Sequence, residues 1–80
     1  MTTQNLVQMA NRIGEFFQAM PDRTEALAGI ANHIAKFWAP AMRHDLAQHL
    51  ATTQGEGLLP VVQEALAAHP NTLKAVVRVH

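Results

Sequence analysis

The stretch Lys36-Phe37-Trp38-Ala39-Pro40-Ala41-Met42-Arg43 decides how this chain is read. It holds the single tryptophan, one of three phenylalanines, and a proline with an arginine just beyond it. Pro40 pushes Ala39 out of the α region, so a helix arriving from the N-terminal side ends near Trp38. Proline is well tolerated in a first helical turn, so the next helix starts at Pro40. The segment is a helix–helix corner carrying the largest side chains of the chain. Phe37 and Trp38 are sequence neighbours and point ~100° apart on a helix. One can fill the core while the other lies at its edge. In that reading Phe37, Trp38, Pro40, Met42 and Arg43 form a partner-binding cluster, since aromatics and arginine most often anchor interfaces, with Lys36 and His44 as a mildly basic rim. In the other, Phe37 and Trp38 both pack inside a core poor in aromatics.

Upstream of the corner, Leu27, Ile30, Ala31, Ile34, Phe37 and Trp38 recur at helical spacing and define the apolar stripe of a second helix. Asp22, with Glu25 three residues later, supplies its N-cap and capping-box pattern. Pro21 and Asp22 separate it from a first helix at about residues 4–19. The stripe there is Leu6, Met9, Ala10, Ile13, Phe16, Phe17 and Met20, opposite Gln8, Asn11, Arg12, Glu15 and Gln18. Gly14 lies inside this helix at a cost of ~1 kcal/mol relative to alanine. Either a neighbouring helix approaches closely there or the glycine is merely tolerated.

Downstream, Met42, Leu46, His49 and Leu50 form the stripe of a third helix. Thr52-Thr53-Gln54-Gly55-Glu56-Gly57 reads as a loop. Pro60 opens a fourth helix with Leu59, Val62, Ala65, Leu66 and His69 facing inward, and Pro70-Asn71-Thr72 stops it. From Leu73 to His80 the pattern fits a fifth short helix, a strand, or a tail ordered by a partner. The expectation is an all-α bundle of four helices in one domain over residues 1–80, with a core of about 4–69 and a tail of 70–80.

With 80 residues, a chain buries only ~60–65% of its unfolded surface and is marginally stable. There is no cysteine, which excludes disulfides and thiolate-bound zinc or iron–sulfur clusters and fits a reducing cytoplasm. Six basic and six acidic side chains balance to zero net charge, whereas nucleic-acid binders usually carry a basic excess. No run approaches the ~18–20 apolar residues of a membrane span, and Met1-Thr2-Thr3-Gln4-Asn5 lacks the basic start of a signal peptide. The expected location is cytoplasmic, with neither membrane nor nucleic acid as a partner.

Chemistry-bearing constellations are sparse. Five histidines raise the question of a metal, but His44 and His49 sit ~140° apart on a helix and no HExxH pattern exists. The alternative for His33 and His49 is a half-buried place on a helix. Asp45 and His49 are i, i+4 neighbours, a spacing at which a surface pair contributes only ~0.2–0.5 kcal/mol. Cysteine and serine nucleophiles are absent, as is a glycine-rich phosphate loop. No catalytic, metal-binding or cofactor-binding residue is expected, and the chain does not read as an enzyme by itself.

Two blocks together carry a resemblance. Met9-Ala10-Asn11-Arg12-Ile13-Gly14-Glu15-Phe16-Phe17 matches the pattern Met-Ala-Asn-x-Ile-x-x-Phe-Phe. His33 through Arg43 matches His-x-x-x-Phe-Trp-x-Pro-x-Met-Arg. In this order and spacing they resemble the delta subunit of NAD-dependent formate dehydrogenase, over about Leu6 to Leu66. The resemblance implies a small accessory subunit of a soluble, cytoplasmic, bacterial complex. Its partner would be the large molybdopterin-containing subunit, which holds the molybdenum or tungsten pterin and iron–sulfur clusters. Flavin and the NAD site would belong to other subunits, and the delta subunit itself would carry no cofactor. Its implied role is assembly, or insertion or retention of the pterin in the large subunit. A transient maturation chaperone is the alternative, and a small helical nucleic-acid-binding regulator a further one. This chain departs from the family pattern at Ala41, where the resemblance leads one to expect a second arginine, so any anionic contact there is weakened.

Overall fold

A computed structural model describes residues 2–73, and in them the chain forms four α-helices: α1 Thr3–Phe17, α2 Arg23–Phe37, α3 Pro40–Thr53 and α4 Pro60–Ala68. No strand occurs among the described residues. The all-α architecture read from the sequence is the architecture observed.

Each helix begins with a local device. Thr2 Oγ1 accepts the Asn5 N–H at 3.1 Å, and Asp22 Oδ1 accepts the Glu25 N–H at 3.3 Å. Both occupy N–H groups that a helix leaves orphaned, a contribution of about 1 kcal/mol each. The starts of α3 and α4 have no side-chain cap, but proline occupies the first turn in both, where its fixed φ suits the helix and its missing N–H costs nothing. At the corner, Trp38 and Ala39 are both extended (ψ 138° and 152°), so the chain leaves α2 and enters α3 within two residues.

The end of α3 lies later than the sequence suggests. Thr52 and Thr53, read as loop, are helical. Their hydroxyls donate to the carbonyls of Gln48 (2.9 Å) and His49 (2.8 Å), one turn back. That back-bonding lets a threonine stay in a helix with its polar group satisfied. The helix stops at Gln54, whose φ of 61° is left-handed, and Gly55 follows with φ 84°.

The core gathers Leu6 and Ala10 of α1, Ile30 and Ile34 of α2, Trp38 at the corner, Leu46 of α3, and Val61, Val62 and Ala65 of α4. Full burial of an aliphatic side chain of this size contributes ~1.5–3 kcal/mol. Helix α2 packs on α4 and α1, while α1 also touches α3 and α4. Gly14 decides how near α1 and α4 can come. A Cβ built there would lie 2.5 Å from Val62 Cγ2 and 3.2 Å from Val61 Cγ1. Close approach, not tolerance, explains this glycine.

Two residues of the apolar stripes are not inside. Phe16 is 73% exposed and Phe37 is 70% exposed. Adjacent side chains on a helix diverge by ~100°, so when Phe17 and Trp38 turn inward, their neighbours Phe16 and Phe37 turn out. After α4, a turn brings the Thr72 N–H onto the His69 carbonyl at 3.0 Å, and Thr72 and Leu73 are buried. The alternatives of a fifth helix, a strand or a partner-ordered tail fall mostly on residues 74–80, outside the described residues.

Candidate functional site

The corner residues separate into an inner and an outer group. Trp38 is 5% exposed and belongs to the core cluster. Its indole closes the end of the bundle at the point where α2 turns into α3. Trp38, expected among the docking side chains, is enclosed by the fold. Met42 and Arg43 are half-buried, and Pro40 is exposed. Met42 packs against the core from outside. Phe37 presents its ring to solvent.

Phe37 does not stand alone. The His33 ring lies one turn back on α2, with centroids 4.9 Å apart and planes inclined by 46°. His33 in turn lines a groove with Arg12, Ile13, Phe16 and Phe17 of α1, of about 350 Å³. Phe16 and Phe17 meet edge to face, with centroids 5.1 Å apart and planes at 89°, a favourable arrangement for aromatic quadrupoles. Phe17 can lie inward because Gly29 of α2 has no side chain; a Cβ there would collide with the Phe17 ring. Phe37 thus stands against His33, and Phe16 shares a groove with that histidine along the seam between α1 and α2.

Phe16 and His33 are the members of this surface that sequence reading missed. It placed Phe16 in the apolar stripe of the first helix, and it read His33 as half-buried, as it is, without assigning it to a surface. A signal was available. The divergence that splits Phe37 from Trp38 applies equally to Phe16 and Phe17, so each aromatic pair must send one ring outward.

The other polar side chains of interest are engaged elsewhere. His49 Nε2–H donates to the Glu56 carbonyl at 2.7 Å; a carbonyl can only accept, so that nitrogen carries the proton. Thr53 Oγ1 accepts the Glu56 N–H at 3.1 Å. Asn11 spans the same connection: its Nδ2 donates to the Gly57 carbonyl at 2.9 Å and its Oδ1 accepts the Leu59 N–H at 2.8 Å. These bonds clasp the α3–α4 connection to α1 and α3. Asp45, offered by spacing as a partner for His49, forms no ion pair with it; the His49 ring is turned to the loop instead. Asp22 caps α2. Arg23 of α2 pairs with Glu64 of α4, its Nε 3.1 Å from Oε1, and with both side chains about half exposed (52% and 50%) the pair contributes no more than ~1 kcal/mol. Among the described residues no group of three or more histidine, aspartate or glutamate side chains is placed to hold a metal. Nor is any helix among them long and apolar enough to cross a membrane.

Fold and surface together define a small helical protein whose polar groups largely serve its own structure and whose exposed aromatic rings are left unmatched. The model of the NADH-dependent formate dehydrogenase delta subunit family matches residues 5–66. That span covers most of the chain, includes all of α2 and α3 and most of α1 and α4, and shows that the chain belongs to this family. No curated protein and no solved structure matches the chain.

Proposed function

We propose that the chain is a non-catalytic accessory subunit. It supports assembly of a formate dehydrogenase, or insertion or retention of the pterin cofactor in the large molybdenum subunit, through protein–protein contacts around the α2–α3 corner. Membership of the delta-subunit family supports an association with a formate dehydrogenase. The observation that carries the docking role is Phe37, a large apolar ring 70% exposed on a corner fixed from within by buried Trp38. Pro40 stiffens that corner, and Met42 and Arg43 continue the surface onto α3.

A non-catalytic role is supported by what the side chains are occupied with. Asp22 caps a helix, Glu64 is paired with Arg23, and His49 is bonded to backbone. The sequence has no cysteine or serine to act as nucleophile. The nucleic-acid alternative has little support, because a neutral chain lacks the basic surface on which phosphate binding depends.

The test is to recover the tagged chain from its host grown with formate and weigh what comes with it. Equimolar recovery of the large subunit supports a resident subunit. Substoichiometric recovery with a cofactor-depleted large subunit supports the alternative, a maturation chaperone that leaves. Recovery of no formate dehydrogenase component overturns the proposal.

A further inference from the structure

We propose that the α1–α2 seam centred on His33 is the seat for a segment of a partner protein that presents apolar side chains bordered by carboxylates. The inference rests on the accessory-subunit reading above and specifies the chemistry of the partner. Its first support is the placement of apolar surface. Among the described residues, the large hydrophobic side chains left exposed are Phe16 and Phe37, from different helices; Phe37 lies against His33, and Phe16 lines the same groove as His33. Two independent rings converging on one point make a patch, whereas single exposed apolar residues are ordinary. Rigid aromatic rings lose little conformational freedom on binding, which is why they dominate interface energetics.

The shape narrows the occupant. At about 350 Å³, the groove lies near the low end of the roughly 300–1,000 Å³ typical of small-molecule pockets. Such a groove, flanked by two protruding rings, accepts side chains of a docked segment, as in the helix-in-groove mode of recognition.

Charge selects among the proteins that could dock. Arg12 is the one fully charged residue in the lining, and no carboxylate shares the groove with it. Lys36 adjoins Phe37 in the chain. Glu15 adjoins Phe16 in the same way, so the rim is mixed and the net charge of the groove comes from Arg12; the groove of a second copy offers no carboxylate to meet it. A partner with aspartate or glutamate beside its apolar anchors pairs with Arg12.

The experiment measures binding of the full chain to a formate dehydrogenase complex purified from cells lacking it. Phe16→Ala and Phe37→Ala are each expected to weaken binding by at least tenfold, and Arg12→Glu by a similar factor, with Arg12→Lys close to wild type. All three sites are exposed, so circular dichroism and thermal melts should match the unsubstituted chain. Salt should weaken the wild type more than Arg12→Glu. A Phe16→Ala/Phe37→Ala double variant that binds within twofold of wild type would overturn the surface while leaving the subunit reading intact. An unchanged or tighter Arg12→Glu would overturn the acidic partner. A wild-type chain that binds no complex would overturn both readings. A wild-type dimer in sedimentation that Phe37→Ala disperses would assign the seam to a second copy and overturn the proposal.

Discussion

Where α1 faces the α3–α4 connection, Asn11 uses both ends of its amide, one on the Gly57 carbonyl and one on the Leu59 N–H. Five residues further along, ~1.4 turns of helix, where α1 faces α2, Phe16 meets solvent and the groove beside it is lined mainly by apolar side chains. The clasped flank has its polar groups bonded within the chain. The open flank exposes two rings that no described residue covers. Interior packing and capping explain the first flank completely; they give no reason for the second. A small domain with little stability to spare does not retain exposed phenylalanines for its own folding. The contrast separates residues that build the bundle from residues it displays.

Substitutions can break that contrast in order of expected effect. Trp38→Ala removes a ring that is 5% exposed and should cost about 3–5 kcal/mol. In a chain of this size that is enough to unfold most molecules, and a urea titration would read it as loss of the cooperative transition. A two-state melt close to wild type would instead place the indole outside the core. Gly14→Ala should destabilise by about 1–3 kcal/mol through overpacking against Val62, even though alanine is the better helix former by ~1 kcal/mol; the sign of the shift in melting temperature is the readout. If Val62 can yield, the sign reverses.

Asn11→Ala strands the Leu59 N–H, which is part-buried, and should cost about 1–3 kcal/mol. Amide exchange at Leu59 should accelerate before exchange in the centre of α2 does. The smallest effect belongs to the open flank. Phe16→Ser should cost no more than ~1.5 kcal/mol, the size of its edge-to-face contact with Phe17. A loss of several kcal/mol would show that the ring is structural and erase the distinction between the flanks.

Most of the fold was legible because its signals are local. Proline positions, the Asp22 cap and the apolar spacing place all four helices. What was not legible depends on which neighbour a helix meets. The stripe of α1 spans more than the neighbouring helices cover, and spacing alone cannot say which edge of a stripe stays outside. Phe16 was lost for that reason. The choice between Phe37 and Trp38 was open for the same reason, and the packing settles it in favour of Trp38 inside. The extension of α3 through Thr53 rests on side-chain bonds to carbonyls one turn back, which compete with the loop propensity of Thr-Thr-Gln-Gly. Asn11 read as a solvated residue of the polar face, and only the return of the chain at Gly57 and Leu59, far away in sequence, gives it a task. The candidate surface was half legible: its α2 side follows from the corner, and its α1 side needed the packing of two helices against each other.

The chain has one tryptophan and no tyrosine, and that tryptophan is sealed into the corner. Its near-ultraviolet emission therefore comes from a single indole in an apolar setting. Unfolding should shift that emission to the red as water reaches the ring, while a ligand covering Phe16 and Phe37 leaves the indole where it is. The protein carries its own optical gauge, which registers loss of the fold and stays quiet when a tryptophan-free ligand docks, so the two events can be told apart.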